Sequence, residues 1–516
     1  MSEMNGAESL VRSLLQSGVD TCFTNPGTSE MHFVAALDQV PGMRSVLALF
    51  EGVATGAADG YYRMARKPAA TLLHLGPGLA NGISNLHNAK KAGSGVVNIV
   101  GQHAASHLEL DAPLTADIEG LARPVSHWVE TSLSAVDVGR DAARAVQAAR
   151  SAPGQVATLI LPSDTAWTPG GKVASALPVP ARAPVEAATL EQAAAALSGP
   201  DSLLLLGGEA LTEENLERAG RIAAATGCAL LSEWANARME RGAGRVPVAR
   251  VPYPIDMALE ALARFRRIVL LGARPPIGFF AYPGKPAVLT PPEAEIIALA
   301  DWAADLDGAL AGLEQAVGAA GAAPVLAPPV APGSVSGPCT PESVAAVLGQ
   351  HIPEGAIVLD ESVTTGRAFH GATLSAAPHT WINNCGGSIG YSLAAAIGAA
   401  IARPDRKVMT LTGDGSAMYM PQALWTMARE GLDITVVIWA NRSYRILLGE
   451  LSGVGVMNPG PRALDMLSLE RPAIDWVGQA QSLGVAAVRV ERAEDFAQAL
   501  ERGFAEAGPN LIEVLL

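Results

Sequence analysis

The sequence predicts an α/β protein of three domains, each a mostly parallel sheet flanked by helices. Two observations carry this. Short β-branched runs alternate with longer helical patterns throughout, and two stretches rich in Pro, Gly and Ala, 167–189 and 318–343, cut the 516 residues into three pieces. The length agrees, since roughly 150 residues per domain gives about three. The predicted domains are 1–170, 187–320 and 340–516.

The elements follow in order. "MSEMNGAESLVRSLLQSGVD" reads as an amphipathic helix, with neither a basic leader nor a continuous apolar segment of signal-peptide type. Strands are predicted in the first domain at "SVLALF" (45–50), "ATLLHL" (70–75), "GVVNIVG" (95–101) and "VATLILP" (156–162). The middle domain offers "SLLLLGG" (202–208), "CALLSE" (228–233) and "RIVLLGA" (267–273). The last offers "AIVLDE" (356–361), "KVMTLTGD" (407–414), "ITVVIWA" (434–440) and "LIEVLL" (511–516). The run "GGSIGYSLAAAIGAAIA" (386–402) falls short of the roughly 20 residues that span a bilayer, and reads as a buried helix.

Composition excludes several classes. Apolar residues make up 49% and charged residues 17%, a balance that suits compact domains rather than disorder. A net charge of -14 without a Lys or Arg block argues against nucleic acid or an anionic membrane as partner. Cys22, Cys228, Cys339 and Cys385 form no CxxC pair, which indicates neither a disulfide framework nor a zinc site and fits a reducing cytoplasm.

The chemistry centres on "TLTGDGSAMYM" (410–420), where one acid stands between two glycines after an apolar strand. Residues 407–441 form a β-α-β unit, and a crossover returns its second strand parallel to its first. Asp414 and Asn441, 27 positions apart, then share the carboxyl edge where such folds bind ligands. A carboxylate and an amide oxygen are hard ligands that suit Mg²⁺ or Ca²⁺, while Gly413 and Gly415 let a phosphate approach the backbone. An Asp at that place could equally cap the next helix. A second glycine turn, "CGGSIG" (385–390), precedes the 386–402 helix and is by itself compatible with a nicotinamide enzyme. In the first domain Glu51 follows an uncharged strand and opens a helix, a place for a proton-relaying acid or for one that only complements the helix dipole.

The spacing from "GDG" to Asn441, the setting of Glu51 in "SVLALFEGVATGAADGYYR", and "FTNPGTSEMHF" together resemble the thiamine diphosphate-dependent decarboxylase and carboligase family. The likeness covers practically the whole chain and is nearest to the benzoylformate decarboxylase and acetolactate synthase branches. It implies a pyrimidine-binding domain, a middle domain and a diphosphate-binding domain. The site would lie between two chains of an obligate homodimer, assembled further as a homotetramer. It implies Glu51 as the cofactor-activating acid, His74 as a catalytic histidine and Thr28 as the hydroxyl that contacts the substrate carboxylate. Asp414, Asn441 and the Ser443 carbonyl would hold the metal. Pro26, Thr364, Gly387, Ile389, Gly413, Gly415, Ser416 and Tyr444 would contact the cofactor, Ile389 as its prop and the Gly387 carbonyl as acceptor from the aminopyrimidine. His32, His103 and His107 are expected at the pocket wall or surface.

Two departures stand out. Where the benzoylformate decarboxylase branch has a second catalytic histidine, "RPPIGFFAYPGK" (274–285) has Phe279 and Phe280, and the metal loop "WANRSYR" has Ala440 and Arg442. The implied reaction is decarboxylation of a small 2-oxo acid with release of an aldehyde or ligation to a second carbonyl compound. The alternatives are an acetolactate synthase-like ligase, with FAD in its middle domain as a less favoured addition, and a catalytically silent relative.

Overall fold

The structure is a computed structural model that describes residues 3–331 and 333–516. The first two residues of the predicted opening helix and one residue of the second linker lie outside these. The opening helix runs Gly6–Gln16, with the Asn5 side chain accepting from the Glu8 amide at 2.9 Å. Among the described residues no helix is long and apolar enough to cross a membrane.

Six strands form the first sheet: β1 (Thr21–Asn25), β2 (Arg44–Leu47), β3 (Ala69–Leu73), β4 (Val96–Gln102), β5 (Trp128–Thr131) and β6 (Val156–Pro162). They are parallel, in the order β2-β1-β3-β4-β6-β5. Every residue of β3, β4 and β6 is buried, as expected for strands covered on both faces. The predicted strand 45–50 stops at Leu47, because the chain turns at Phe50 into the helix Glu51–Ala65.

The middle segment supplies β7 (Ser202–Leu206), β8 (Ala229–Ser232), β9 (Arg238–Arg241), β10 (Ala249–Arg250), β11 (Arg267–Leu271) and β12 (Glu295–Ala300). Five of these make a parallel sheet, β10-β8-β7-β11-β12. The third sheet contains β13 (Ile357–Glu361), β14 (His379–Asn383), β15 (Val408–Gly413), β16 (Ile434–Ala440), β17 (Ala486–Val490) and β18 (Asn510–Leu515), in the order β17-β18-β16-β15-β13-β14-β9. Its edge is β9, which comes from the middle segment and pairs antiparallel to β14, Met239 opposite Trp381.

The outer sheets share one hydrophobic core, which runs from Val46, Leu73 and Leu86 to Ile357, Leu393 and Val408. The helix Glu51–Ala65 lies on the helix Tyr391–Ala402, the predicted buried helix of 386–402. Glycines bring the two backbones together. A Cβ on Gly60 would fall 2.0 Å from the Ala395 carbonyl oxygen, and one on Gly398 would fall 1.8 Å from that of Ala57. Buried Arg63 ties this contact to the middle segment: it is ion-paired to Asp59 at 2.8 Å and donates to the carbonyls of Asn383 and Ala237.

Candidate active site

On the first sheet, neighbouring parallel strands deliver Pro26 and Thr28 after β1, Glu51 after β2, His74 after β3 and His103 after β4 to one carboxyl edge. Thr28 is exposed and opens a short turn, Thr28–Glu30, while Pro26 is half-buried. Glu51 is buried, and its carboxylate accepts from Asn81 Nδ2 at 3.0 Å. His74 precedes the helix Leu75–Ala92, and its Nδ1 lies 2.8 Å from Glu30 Oε2. His103 stacks against His107 with ring centroids 5.3 Å apart, and His32 stands against Trp167 at 5.7 Å, so His32 and His107 remain wall or surface groups. Burial and the neighbouring imidazoles hold His103 below its ordinary range.

On the third sheet, β15 and β16 pair with Gly413 opposite Trp439, which sets Asp414 and Asn441 side by side at the edge. Asp414 is buried and accepts from the Arg442 amide at 2.8 Å and the Gly415 amide at 2.9 Å. Burial pushes it up to about 6 against the pull of those amides. The Asn441 oxygen accepts from the Ser443 amide at 3.0 Å. Ser416 is buried, and Tyr444 lies against Gly415, where a Cβ would come within 2.6 Å of its ring. Thr364 and Ile389 are half-buried, whereas Gly387 is exposed with φ +79.

Side chains of the first unit hold the glycine turn in place. Asn88 Nδ2 donates to the Ser388 carbonyl at 2.9 Å, the Ser388 amide donates back to Asn88 Oδ1 at 3.2 Å, and His87 Nε2 donates to the Gly386 carbonyl at 3.1 Å. Backbone strain marks the same places. Among the described residues five non-glycine residues have left-handed φ, and three of them, Leu75, Val363 and Arg442, adjoin His74, Thr364 and Asn441.

Asp414 and Asn441 carry oxygens of the kind that hard cations take. Among the described residues no three His, Cys, Asp or Glu side chains group as a metal cluster, so a cation here draws its remaining ligands from carbonyl oxygens, water or a phosphate. An aromatic wall stands over the glycine turn: Phe279 touches the Gly387 position and groups with Phe280, Trp234 and Tyr253 at centroid distances of 4.8, 5.6 and 5.8 Å.

Glu51 and Asp414 do not pair directly. Among the described residues, no hydrogen bond or ion pair links Glu51 to Asp414. Two acids escaped the sequence reading. Glu30 is fully buried beside His74. Glu361, at the end of β13, accepts from the amides of Tyr391 and Ser392 at 3.3 Å and from Asn384 Nδ2 at 3.1 Å, and burial pushes it up to about 7. Its position in "VLDES", as the last residue of a strand, was the one signal the sequence offered.

A three-sheet α/β chain with these two edges has the form of a thiamine pyrophosphate enzyme. The pattern "Thiamine pyrophosphate enzyme, N-terminal TPP binding domain" matches residues 4–123, and "Thiamine pyrophosphate enzyme, C-terminal TPP binding domain" matches 365–514. The chain belongs to this family, within its decarboxylase and acetolactate synthase group, and is an enzyme of carbon–carbon bond cleavage or formation. It is 49% identical over 99% of both chains to the Mycobacterium tuberculosis protein named "Putative acetolactate synthase large subunit IlvX". It is 29% identical to benzoylformate decarboxylase of Pseudomonas aeruginosa over 97% of each. The thiamine diphosphate-dependent 4-hydroxybenzoylformate decarboxylase of Rhodococcus jostii has the same fold, with TM-score 0.83, 24% identity and coverage of 99% of this chain and 98% of that one.

Proposed function

We propose that the chain is a thiamine diphosphate- and Mg²⁺-dependent 2-oxo acid decarboxylase and carboligase of benzoylformate decarboxylase type. The observation that carries this reading is the placing of Asp414 and Asn441 on adjacent parallel strand ends, with an acid and an imidazole, Glu51 and His74, on the matching edge of the first sheet. Asp414, Asn441 and the Ser443 carbonyl would hold the cation, Mg²⁺ or Ca²⁺. Thr364, Gly413, Gly415 and Ser416 would hold the diphosphate. Pro26, Glu51 and the Gly387 carbonyl would hold the aminopyrimidine, with Ile389 as prop and Tyr444 on the wall.

Bound there, the cofactor supplies an electron sink for loss of CO₂ from a 2-oxo acid. Glu51 holds and releases a proton at the pyrimidine ring nitrogen, and Asn81 fixes the orientation of its carboxylate. His74 exchanges a proton with the substrate oxygen, and the Thr28 hydroxyl donates to the substrate carboxylate. The aromatic wall excludes water and favours departure of a charged group. Residues 1–170 serve the pyrimidine, 340–516 the diphosphate and metal, and 187–320 the wall. In keeping with the family resemblance, the chain would act as a homodimer with shared sites, paired into a tetramer.

The name of the 49%-identical relative favours a second reading, an acetolactate synthase-like ligase. FAD is the less favoured cofactor here. Its carboxyl edge leaves a cavity of about 180 Å³, lined by Glu233, Arg274, Asp301 and Trp302, below the roughly 300 Å³ of ordinary ligand pockets. Burial pushes the Glu233 carboxyl up to about 7 against the pull of the Arg274 guanidinium, which lies 4.6 Å over the Trp302 ring. The test is a screen of 2-oxo acids for CO₂ release with thiamine diphosphate and Mg²⁺, with and without an aldehyde. Release that needs both cofactors is expected. Absence of release from every acid, or a yellow protein that ligates pyruvate only, would overturn the reading.

A further inference from the structure

The first sheet edge holds an arrangement that the proposed chemistry does not by itself require. Glu30 has a fully buried side chain, and both of its hydrogen bonds converge on one oxygen. Oε2 accepts from the Gly27 amide at 2.8 Å and meets His74 Nδ1 at 2.8 Å. Oε1 has no hydrogen-bond partner. A buried acceptor left unsatisfied is destabilising, and an apolar residue at this position would avoid that cost.

Two glycines make room for the pair. A Cβ on Gly101, in β4, would fall 1.6 Å from Glu30 Oε1. A Cβ on Gly27 would fall 2.2 Å from His74 Nδ1. Three segments, the turn after β1, the end of β3 and β4 itself, are thus shaped around a single carboxyl–imidazole contact.

We propose that Glu30 is the positioning residue that makes His74 the acid and base of the site, by keeping the proton on Nδ1 and leaving the Nε2 lone pair for substrate. The proposal rests on the reading that His74 faces the substrate. Nε2 takes a proton from solvent, the imidazolium shares its charge with the Glu30 carboxylate, the proton passes to the substrate oxygen as its carbonyl bond opens, and Nε2 takes it back from that oxygen as the product carbonyl forms. His74 is thereby restored to its starting form, and the one proton the overall decarboxylation consumes comes from solvent. The ionisable groups that face His74 from the elements around it are Glu30 from its turn, Glu51, whose Oε1 lies beside Gly78 as the His74 Cβ does, and His103 from the end of β4. Burial pushes Glu30 up, while the His74 contact and the Gly27 amide oppose that shift and favour the carboxylate.

The test uses the full-length chain loaded with thiamine diphosphate and Mg²⁺. Histidine ¹⁵N spectra should show His74 with its proton on Nδ1 in the native protein and in Glu30→Gln, whose amide oxygen still accepts. In Glu30→Ala the proton should move largely to Nε2, the form favoured by free imidazole. In Glu30→Gln kcat should fall about 10- to 100-fold with KM within about twofold, the imidazole limb of the kcat profile should move to lower pH, and Glu30→Asp should recover part of the loss. Native His74 protonated on Nε2, or a Glu30→Gln enzyme with native kcat and pH profile, overturns the proposal. If the native chain turns over no 2-oxo acid, the functional reading fails, and the spectra still decide whether Glu30 sets the tautomer.

Discussion

Both outer sheets bring buried acids to their carboxyl edges, yet the acids are satisfied in different ways. On the first sheet Glu51 and Glu30 are matched by side chains, Asn81 and His74. On the third sheet Asp414 is matched by the backbone amides of Gly415 and Arg442, and Glu361 by the amides of Tyr391 and Ser392 together with Asn384 Nδ2 and the Ser392 hydroxyl. A side-chain partner can change its protonation or turn with a proton in transit. A backbone amide donates permanently, from a place fixed by strand pairing and helix start.

The largest expected effect breaks the comparison outright. Glu51→Gln should lower cofactor-dependent turnover by at least about 10³-fold while circular dichroism and cofactor binding stay native, and near-native turnover would remove Glu51 from the relay. Combined with Asp414→Ala in a second chain, it tests whether the two edges meet across protomers. A random mixture of two inactive variants should regain about a quarter of the native activity, because mixed dimers keep one complete site. No recovery in verified mixed dimers would place both halves of the site in one chain.

Next in size, Asp414→Ala should weaken thiamine diphosphate binding in Mg²⁺ on the order of 100-fold, or about 2.7 kcal/mol, in a fluorescence titration. Binding that stays native would speak against the metal clamp.

Glu361 sharpens the contrast through pH. Its folded value, about 7, exceeds the ordinary 4.5, so between these values the folded chain keeps a proton that the unfolded chain has released. Its contribution to stability is complete below about 4.5 and is lost as pH rises through about 7. Glu361→Gln should remove a slope on the order of a few kcal/mol across that window in denaturant melts, and an unchanged slope would assign it to other groups. The smallest effect is expected at exposed Thr28. Thr28→Ala should raise KM for the 2-oxo acid about threefold with kcat near native, consistent with loss of one hydrogen bond.

Much of this was legible in the sequence where a long buried strand meets a polar residue. β4, β6, β15 and β16 are wholly or almost wholly buried and announce themselves as apolar runs, so Asp414 and Asn441 could be placed from spacing alone. Short strands carried no such signal. "TCFTN" (β1) and "WVET" (β5) mix polar with apolar residues, and β9 is "RMER", three of its four residues charged, with its Met239 alone turned to a core. Glu30 and Glu361 were hidden for another reason. Each reads locally as a turn or strand-end acid, and its meaning comes from a histidine or a helix start brought to it from 44 or about 30 residues further along the chain.

The borrowed strand β9 has a bearing on how the gene can be cut. A truncated chain that lacks the central third, or trades it for a homologous segment ending before Arg238, leaves the row of peptide groups along His379–Asn383 bare, next to Trp381. An open strand border of that kind invites pairing with foreign chains, so insoluble protein is the anticipated outcome. Successful chimaeras should carry Arg238–Arg241 along with the carboxyl-terminal portion, a splice point that linker composition alone would never indicate.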